Sequence, residues 1–424
     1  MPQMGWFKDA NAVRQEIMAG ITAFFAISYI LIVNPVILSD AGIPAGLSVF
    51  ATIFVSVAGC FLMGLWADAP IILTPGMGVN AFFTYTVVVN MGLSWQEALA
   101  ISLLSGVIFV FVACTRCAKV LAEAIPSSLK FAITAGIGLF LVEIGLEKAE
   151  LIQAGTNSII ALGSLHNPNA LLAIFGLLLS LALYLRGVMG SFFIAIIVTS
   201  IVGNLAGAAG AASTNIQLSD LALYPQLLLQ ADFSQAVSIP FVLSVFSMTM
   251  ILVFESMGIL EGMLPDKIKF KRAFAASSMI TVLSSLMGTS PTVAAAESAA
   301  GIAGGGRRGL MALTAGVLFA LSLIFIPFLT YVPQAAIAPV IIITGAMMMQ
   351  QLQHIEFDDF SEWFPAFLII VLIPLTGSIS TGLAFGFAAY PLLKLFTGRG
   401  AEMHRLGYGL GFLFLMNLVF QAGF

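Results

Sequence analysis

The sequence predicts an all-α polytopic membrane protein of 14 transmembrane segments in a 7+7 inverted repeat, with spans three and ten broken. Three observations predict it. The chain is 60% hydrophobic and 8% charged, whereas a soluble domain carries about 25% charged residues. Apolar runs of about 20 residues, enough to cross a hydrocarbon core, fill almost the whole length. Two of these runs are interrupted by Gly and Pro, TPGMGVN (Thr74 to Asn80) and TSPTVAAAE (Thr289 to Glu297).

Ile17 to Leu38 is the first span, closing at Asn34-Pro35, and Leu47 to Trp66 is the second. Ile71 to Gly78 breaks, because proline lacks an N–H and disfavours helix in the residue before it. Val79 to Met91 continues as a short helix. Trp95 to Ala113 is the fourth span and Leu129 to Leu146 the fifth. Asn169 to Leu185 and Met189 to Leu205 are joined by a tight Arg186-Gly187 turn. In the long polar connection Gly207 to Ala236, Ile216 to Leu229 reads as an amphipathic interfacial segment. Ser238 to Leu260 and Ala273 to Met287 are the eighth and ninth spans.

The tenth element is the polar exception. Thr289, Ser290, Pro291 and Thr292 resist regular helix, and Val293 to Ala303 reads as a half-helix of about 17 Å at 1.5 Å per residue. Leu310 to Leu329, Ala335 to Met349, Phe364 to Leu375 and Ile379 to Phe396 complete the spans. Tyr408 to Phe420 is an interfacial helix or a packing tail.

Basic residues support this count. With the N-terminus in the cytoplasm, 15 of the 16 fall on the cytoplasmic side: Lys8, Arg14, Arg116, Lys119, Lys130, Arg186, Lys267, Lys269, Lys271, Arg272, Arg307, Arg308, Lys394, Arg399 and Arg405. Only Lys148 falls outside, beside Glu147 and Glu150, while outer connections carry Asp40, Asp220 and Asp232. Such a bias is the positive-inside rule. The two interrupted segments lie seven elements apart. That odd separation reverses their orientation, and paired interrupted segments of this kind point to a transporter binding site. Met1 to Glu16 does not read as a cleavable signal.

Few residues carry chemistry. Cys114 and Cys117 form a CxxC without a second ligand pair, so no metal site is expected. His166, His354 and His404 all lie in polar connections. No phosphate or dinucleotide fingerprint is present, so neither a cofactor nor a nucleic acid is expected. Three acids lie in or near spans. Glu143 sits near a span end and reads as interfacial; Glu255 and Glu297 lie at membrane depth. An acid there costs about 2.5–3.5 kcal/mol on insertion scales, which marks it as functional. Desolvation favours the neutral form of an unpaired carboxyl. The pair can therefore serve as substrate anchor and proton-linked switch; the plainer alternative is that one acid merely bonds the broken backbone. Asn80 starts one half-helix, and Thr289, Ser290 and Thr292 precede the other. Gly76, Gly78, Gly301 and Gly304 admit close approach of backbone or ligand. Phe82 and Phe83 are placed to flank a planar ring, although packing is the default role of any one of 35 phenylalanines. A channel or uncoupled path is the alternative from another class.

AGITAFFAISYILIVNP (Ala19 to Pro35), LTPGMGVNAFF (Leu73 to Phe83), FESMGIL (Phe254 to Leu260) and GTSPTVAAAESAAGIAGGGRRGL (Gly288 to Leu310) resemble the AzgA-type purine permeases, part of the wider nucleobase–cation symporter group. The segments Phe364 to Ile370 and Thr397 to Gly400 fit the same resemblance. It implies that spans three and ten each supply a short strand and a half-helix, and it implies a core domain, residues 1–124 and 237–332, and a gate domain, residues 125–236 and 333–424. It implies proton-coupled, elevator-like uptake of adenine, guanine or hypoxanthine into a bacterium, with both termini cytoplasmic in its inner membrane. A homodimer through the gate is also implied. Glu255 and Glu297 would hold substrate and couple the proton, with Asn80 contributing. Ser256, Thr289, Ser290, Thr292 and Gly78 complete the candidate set. Departures touch the pocket. The family's FDTVGTL pattern has Asp where Glu255 stands and Thr where Ser256 and Ile259 stand, and GTSPT replaces GTSTV, adding Pro291. Another planar solute, such as xanthine, urate or uracil, and sodium in place of the proton, are the alternatives.

Overall fold

A computed structural model describes residues 10–115, 125–155, 159–207, 218–329 and 331–422. Met1, Lys8, Arg116, Cys117, Lys119 and Ile216, singled out above, lie outside them. Among the described residues nine helices are long and apolar enough to cross a membrane, and three shorter apolar ones accompany them.

The first span does not run unbroken. It forms α1 (Ala10–Ile27) and α2 (Ile30–Asp40), parted at Ser28 and Tyr29. α3 (Ala45–Leu62) ends in a π turn, Met63–Ala67. Next come β1 (Leu73–Pro75), α4 (Met77–Ala81) and a π-helical continuation, Phe82–Asn90, where an ordinary helix was expected. α5 (Trp95–Cys114) starts on a capping box: Ser94 accepts from the Glu97 amide, and Glu97 accepts from the Ser94 amide at 2.7 Å. α6 (Ser127–Lys148) is followed by a hairpin the sequence did not announce, β2 (Ile152–Ala154) with β3 (Ile160–Leu162). Short strands were expected only in spans three and ten, so this hairpin is the departure from the all-α reading.

α7 (Pro168–Leu185) and α8 (Ser191–Leu205) match expectation. The Leu218–Leu227 segment is a 3-10 helix, and it is anchored rather than free at an interface. Its Tyr224 hydroxyl donates to the Met287 carbonyl at 3.1 Å, and the Leu229 amide donates to the Leu286 carbonyl at 2.9 Å. α9 (Ile239–Met263) and α10 (Phe270–Leu286) lead to the second break.

There the expected half-helix Val293 to Ala303 is corrected. Thr292–Ala294 is a strand, β4, and only Ser298–Ala303 is helix, α11. Small apolar residues suit either state. β1 decides, because its unpaired backbone groups would otherwise be stranded at membrane depth. α12 (Gly309–Leu321), α13 (Ile326–Leu329), α14 (Gln334–Met349), α15 (Phe360–Thr376) and α16 (Ile379–Phe396) follow. α17 (Arg405–Ala422) is a packing helix: Phe414, fully buried, lies 4.9 Å from both the Phe246 and the Phe387 rings.

Close helix contact drives packing where lipid supplies no hydrophobic contrast. α6 meets α14 at Gly138 and Gly345, where a Cβ on Gly138 would stand 2.6 Å from the Gly345 carbonyl oxygen. α15 packs on α6 and α16, and α7 on α8 and α14. Separately, α1 and α3 pack on α12, and α5 on α9 and α10.

Candidate functional site

The two broken segments meet. β1 and β4 pair antiparallel in the register Leu73 with Ala294, Thr74 with Val293 and Pro75 with Thr292. The ladder extends both ways: the Gly76 amide donates to the Pro291 carbonyl at 3.1 Å, and the Ala295 amide to the Ile72 carbonyl at 2.9 Å. Buried backbone groups at this depth need such partners. α4 therefore leaves one end of the ladder, and the turn into α11 leaves the other.

Glu255 comes to this junction from α9. Ideal Cβ positions on Gly76 and Gly78 would stand 3.7 Å and 3.5 Å from its two carboxylate oxygens. Glycine at both positions thus leaves the carboxylate against the start of α4. Glu255 Oε2 is buried without a hydrogen-bond partner. Glu297 stands at the residue before α11 rather than within it, without a side-chain capping bond, and it is close enough to Glu255 for their charges to interact.

Glu297 Oε1 accepts the Tyr29 hydroxyl at 2.5 Å. Tyr29 is 1% exposed, stands at the break of the first span, and sets its ring edge-on to Phe192, 5.9 Å away. Sequence reasoning missed it, for a hydroxyl within Ala19 to Pro35 looks like one more packing residue. The break itself was the signal, and no proline marks it.

The other candidates divide into two kinds. Asn80 is fully buried inside α4, past its start at Met77, and neither amide atom has a partner. One turn on, the buried Thr84 hydroxyl is also unpartnered. Thr292 keeps an unpartnered hydroxyl, although its backbone amide and carbonyl are bound by Ser284 and Thr281. Thr289 and Ser290 are engaged elsewhere. Asn34 donates to Thr289 Oγ1 at 3.2 Å and accepts from Ser290 Oγ at 3.2 Å. Ser256 faces Ser277 of α10 at 3.3 Å. Gly78 lies between Glu255 and Ile137 of α6. Phe82 and Phe83 are fully buried. Ser298, another residue the sequence did not flag, accepts the Ile72 amide at 2.9 Å and ties the two segments together.

A site of this kind has two carboxylates, one unpartnered amide and glycines that leave room beside one carboxylate, around a ladder. It suits a small, flat, polar molecule offering N–H donors and mixed edges. An unsatisfied buried polar group costs about 1–3 kcal/mol, so the unpartnered Asn80 amide stands out among the candidates. Among the described residues no group of three or more His, Cys, Asp or Glu could hold a metal ion.

Residues 14–385 match the model of a permease family, Xan_ur_permease. The nucleobase transporter PlAzg2 of Paenibacillus larvae is 44% identical over 383 residues, covering 89% of this chain and 77% of that protein. The guanine/hypoxanthine permease PbuO of Bacillus subtilis is 37% identical over 427 residues, covering 97% and 98%. The transmembrane domain of the cyanobacterial bicarbonate transporter BicA superposes with a TM-score of 0.64 at 15% identity, covering 87% of this chain and 97% of that one, and shows the same fold.

Proposed function

Because the chain belongs to this permease family, we propose that it imports purine nucleobases (adenine, guanine or hypoxanthine) by proton symport. It is an integral membrane transporter and not an enzyme. The observation that carries the substrate reading is the unpartnered Asn80 amide on α4, the short helix at whose start Gly76 and Gly78 lie against the Glu255 carboxylate. A purine edge sets a donor beside an acceptor, and an amide side chain matches that pair with two bonds. Glu255 and Glu297 then accept ring N–H groups, and a proton on one of them travels with the base. Proteins similar to this one are named for nucleobase transport and for guanine and hypoxanthine.

The same reading arranges 14 spans as an inverted repeat in a bacterial inner membrane, both termini cytoplasmic. The antiparallel β1–β4 pairing, with helices leaving opposite ends, supports the inversion. Residues 1–124 and 237–332 form the core, and residues 125–236 and 333–424 the gate, which also joins two copies into a homodimer. Core slides against gate in elevator fashion, so the site opens to one side at a time.

Reconstituted vesicles test this. Labelled guanine, hypoxanthine and adenine should accumulate above equilibrium under an imposed pH gradient, and a protonophore should abolish the gain. Uptake that only equilibrates, or that follows sodium instead, would overturn the proton reading. In a competition panel, displacement by xanthine, urate or uracil rather than by purine bases would overturn the substrate reading.

A further inference from the structure

Lys148 is the basic residue that the positive-inside pattern leaves on the outer side, and a lysine there calls for a reason. Its Nζ lies 2.6 Å from Asp40 Oδ2, with 12% of the Lys148 side chain and 28% of the Asp40 side chain exposed. The same carboxylate oxygen accepts the Tyr85 hydroxyl at 2.6 Å. Three elements therefore converge on one carboxylate: the last residue of α2, the last residue of α6, and the π-helical continuation of α4.

Each leads back to the site. α2 begins after Tyr29, which holds Glu297. The π-helix continues from Asn80 and from the two glycines beside Glu255. α6 comes from the other group of helices, packs on α14 and α15, and carries Ile137 against Gly78. The same outer turn of the π-helix has two more ties to that group: Thr86 Oγ1 accepts the Ile379 amide at 3.2 Å, and Asn90 Nδ2 donates to the Thr376 carbonyl at 3.4 Å.

We infer that Asp40, Lys148 and Tyr85 form an outer latch, positioning residues that hold the α6 side against the helices bearing the site and part once in each transport cycle. The inference rests on the transport reading above. A partly exposed ion pair contributes little net stability, so it can break and reform within a cycle. Its geometry, not its strength, sets where the two groups of helices meet.

The test uses full-length protein in proteoliposomes, with Asp40→Cys and Lys148→Cys in a background whose three native cysteines are replaced. A bis-methanethiosulfonate cross-linker, which forms a reducible disulfide to each cysteine with release of methanesulfinate, bridges the pair, since a paired Lys and Asp span more than a single disulfide allows. Bridging should lower guanine uptake at least about tenfold by blocking the conformational step, while guanine binding to the solubilised protein stays within about twofold. Reduction should restore uptake. Unchanged uptake by the bridged protein would overturn the latch alone. Wild-type protein that carries no purine would overturn the transport reading and the latch with it. If the cysteine pair does not insert, charge reversal decides. Asp40→Lys or Lys148→Asp should each cost about tenfold in uptake and the double variant should recover most of it, as coupled neighbours do. A double variant no better than the singles would overturn the latch.

Discussion

The two broken segments share one ladder but use their polar groups in opposite ways. From Leu73 to Asn90, Asn80 and Thr84 are buried with unpartnered side chains, and the acid nearest them, Glu255, has a buried oxygen with no donor. From Thr289 to Ala303 nearly every polar group is taken. Asn34 holds Thr289 and Ser290, Ile72 occupies Ser298, and Tyr29 holds Glu297. The first segment keeps Asn80 and Thr84 without partners within the chain, whereas the second is bound into the scaffold and presents one positioned carboxylate. Two paired segments need only share a backbone path, because each polar side chain answers to its own neighbours.

Substitutions can break or sharpen this contrast. The largest effect should come from Glu297→Gln, which removes the one positioned charge of the second segment and should abolish purine uptake, a loss of about 100-fold or more for a charge-assisted contact. Tyr29→Phe, which removes only the donor to Glu297, should fall well short of that and add nothing in a Glu297→Gln background. Near-normal, gradient-driven uptake by Glu297→Gln would show that the bound segment is only scaffold. Next in size, Asn80→Ala should weaken purine binding about tenfold, read by calorimetry, with thermal stability unchanged or improved, since an unsatisfied buried amide is removed. A large loss of stability there would mean that the first segment is as fully bound as the second. The smallest effect on transport should come from Ser298→Ala. It strands the Ile72 amide and should cost about 1–3 kcal/mol of stability, while uptake per folded molecule changes little. A selective loss of affinity instead would move Ser298 from scaffold to site.

Much of this was legible because it is local. Pro75 and Pro291 interrupt apolar runs, and a chain cannot stay helical through them at no cost. Glu255 and Glu297 stand out because an acid at membrane depth has few structural reasons to be there. Lys148, set apart by the expected distribution of basic residues, is paired with Asp40 in the structure.

Other features were invisible for an equally physical reason. Val293 and Ala294 have the composition of a helix, and only the edge of β1, more than 200 residues earlier in the chain, makes them a strand. Tyr29 and Glu297 lie 268 residues apart, so nothing near Tyr29 announces its role. Asn80 and Thr289 read alike as polar residues at a break, and tertiary neighbours separated them. Composition, helix breaks and charge placement follow from the chain's local contest with lipid, and the sequence alone determines them. Which polar groups are satisfied from within the chain, and which are not, depends on partners that meet only when distant spans pack, and the tertiary structure alone decides it.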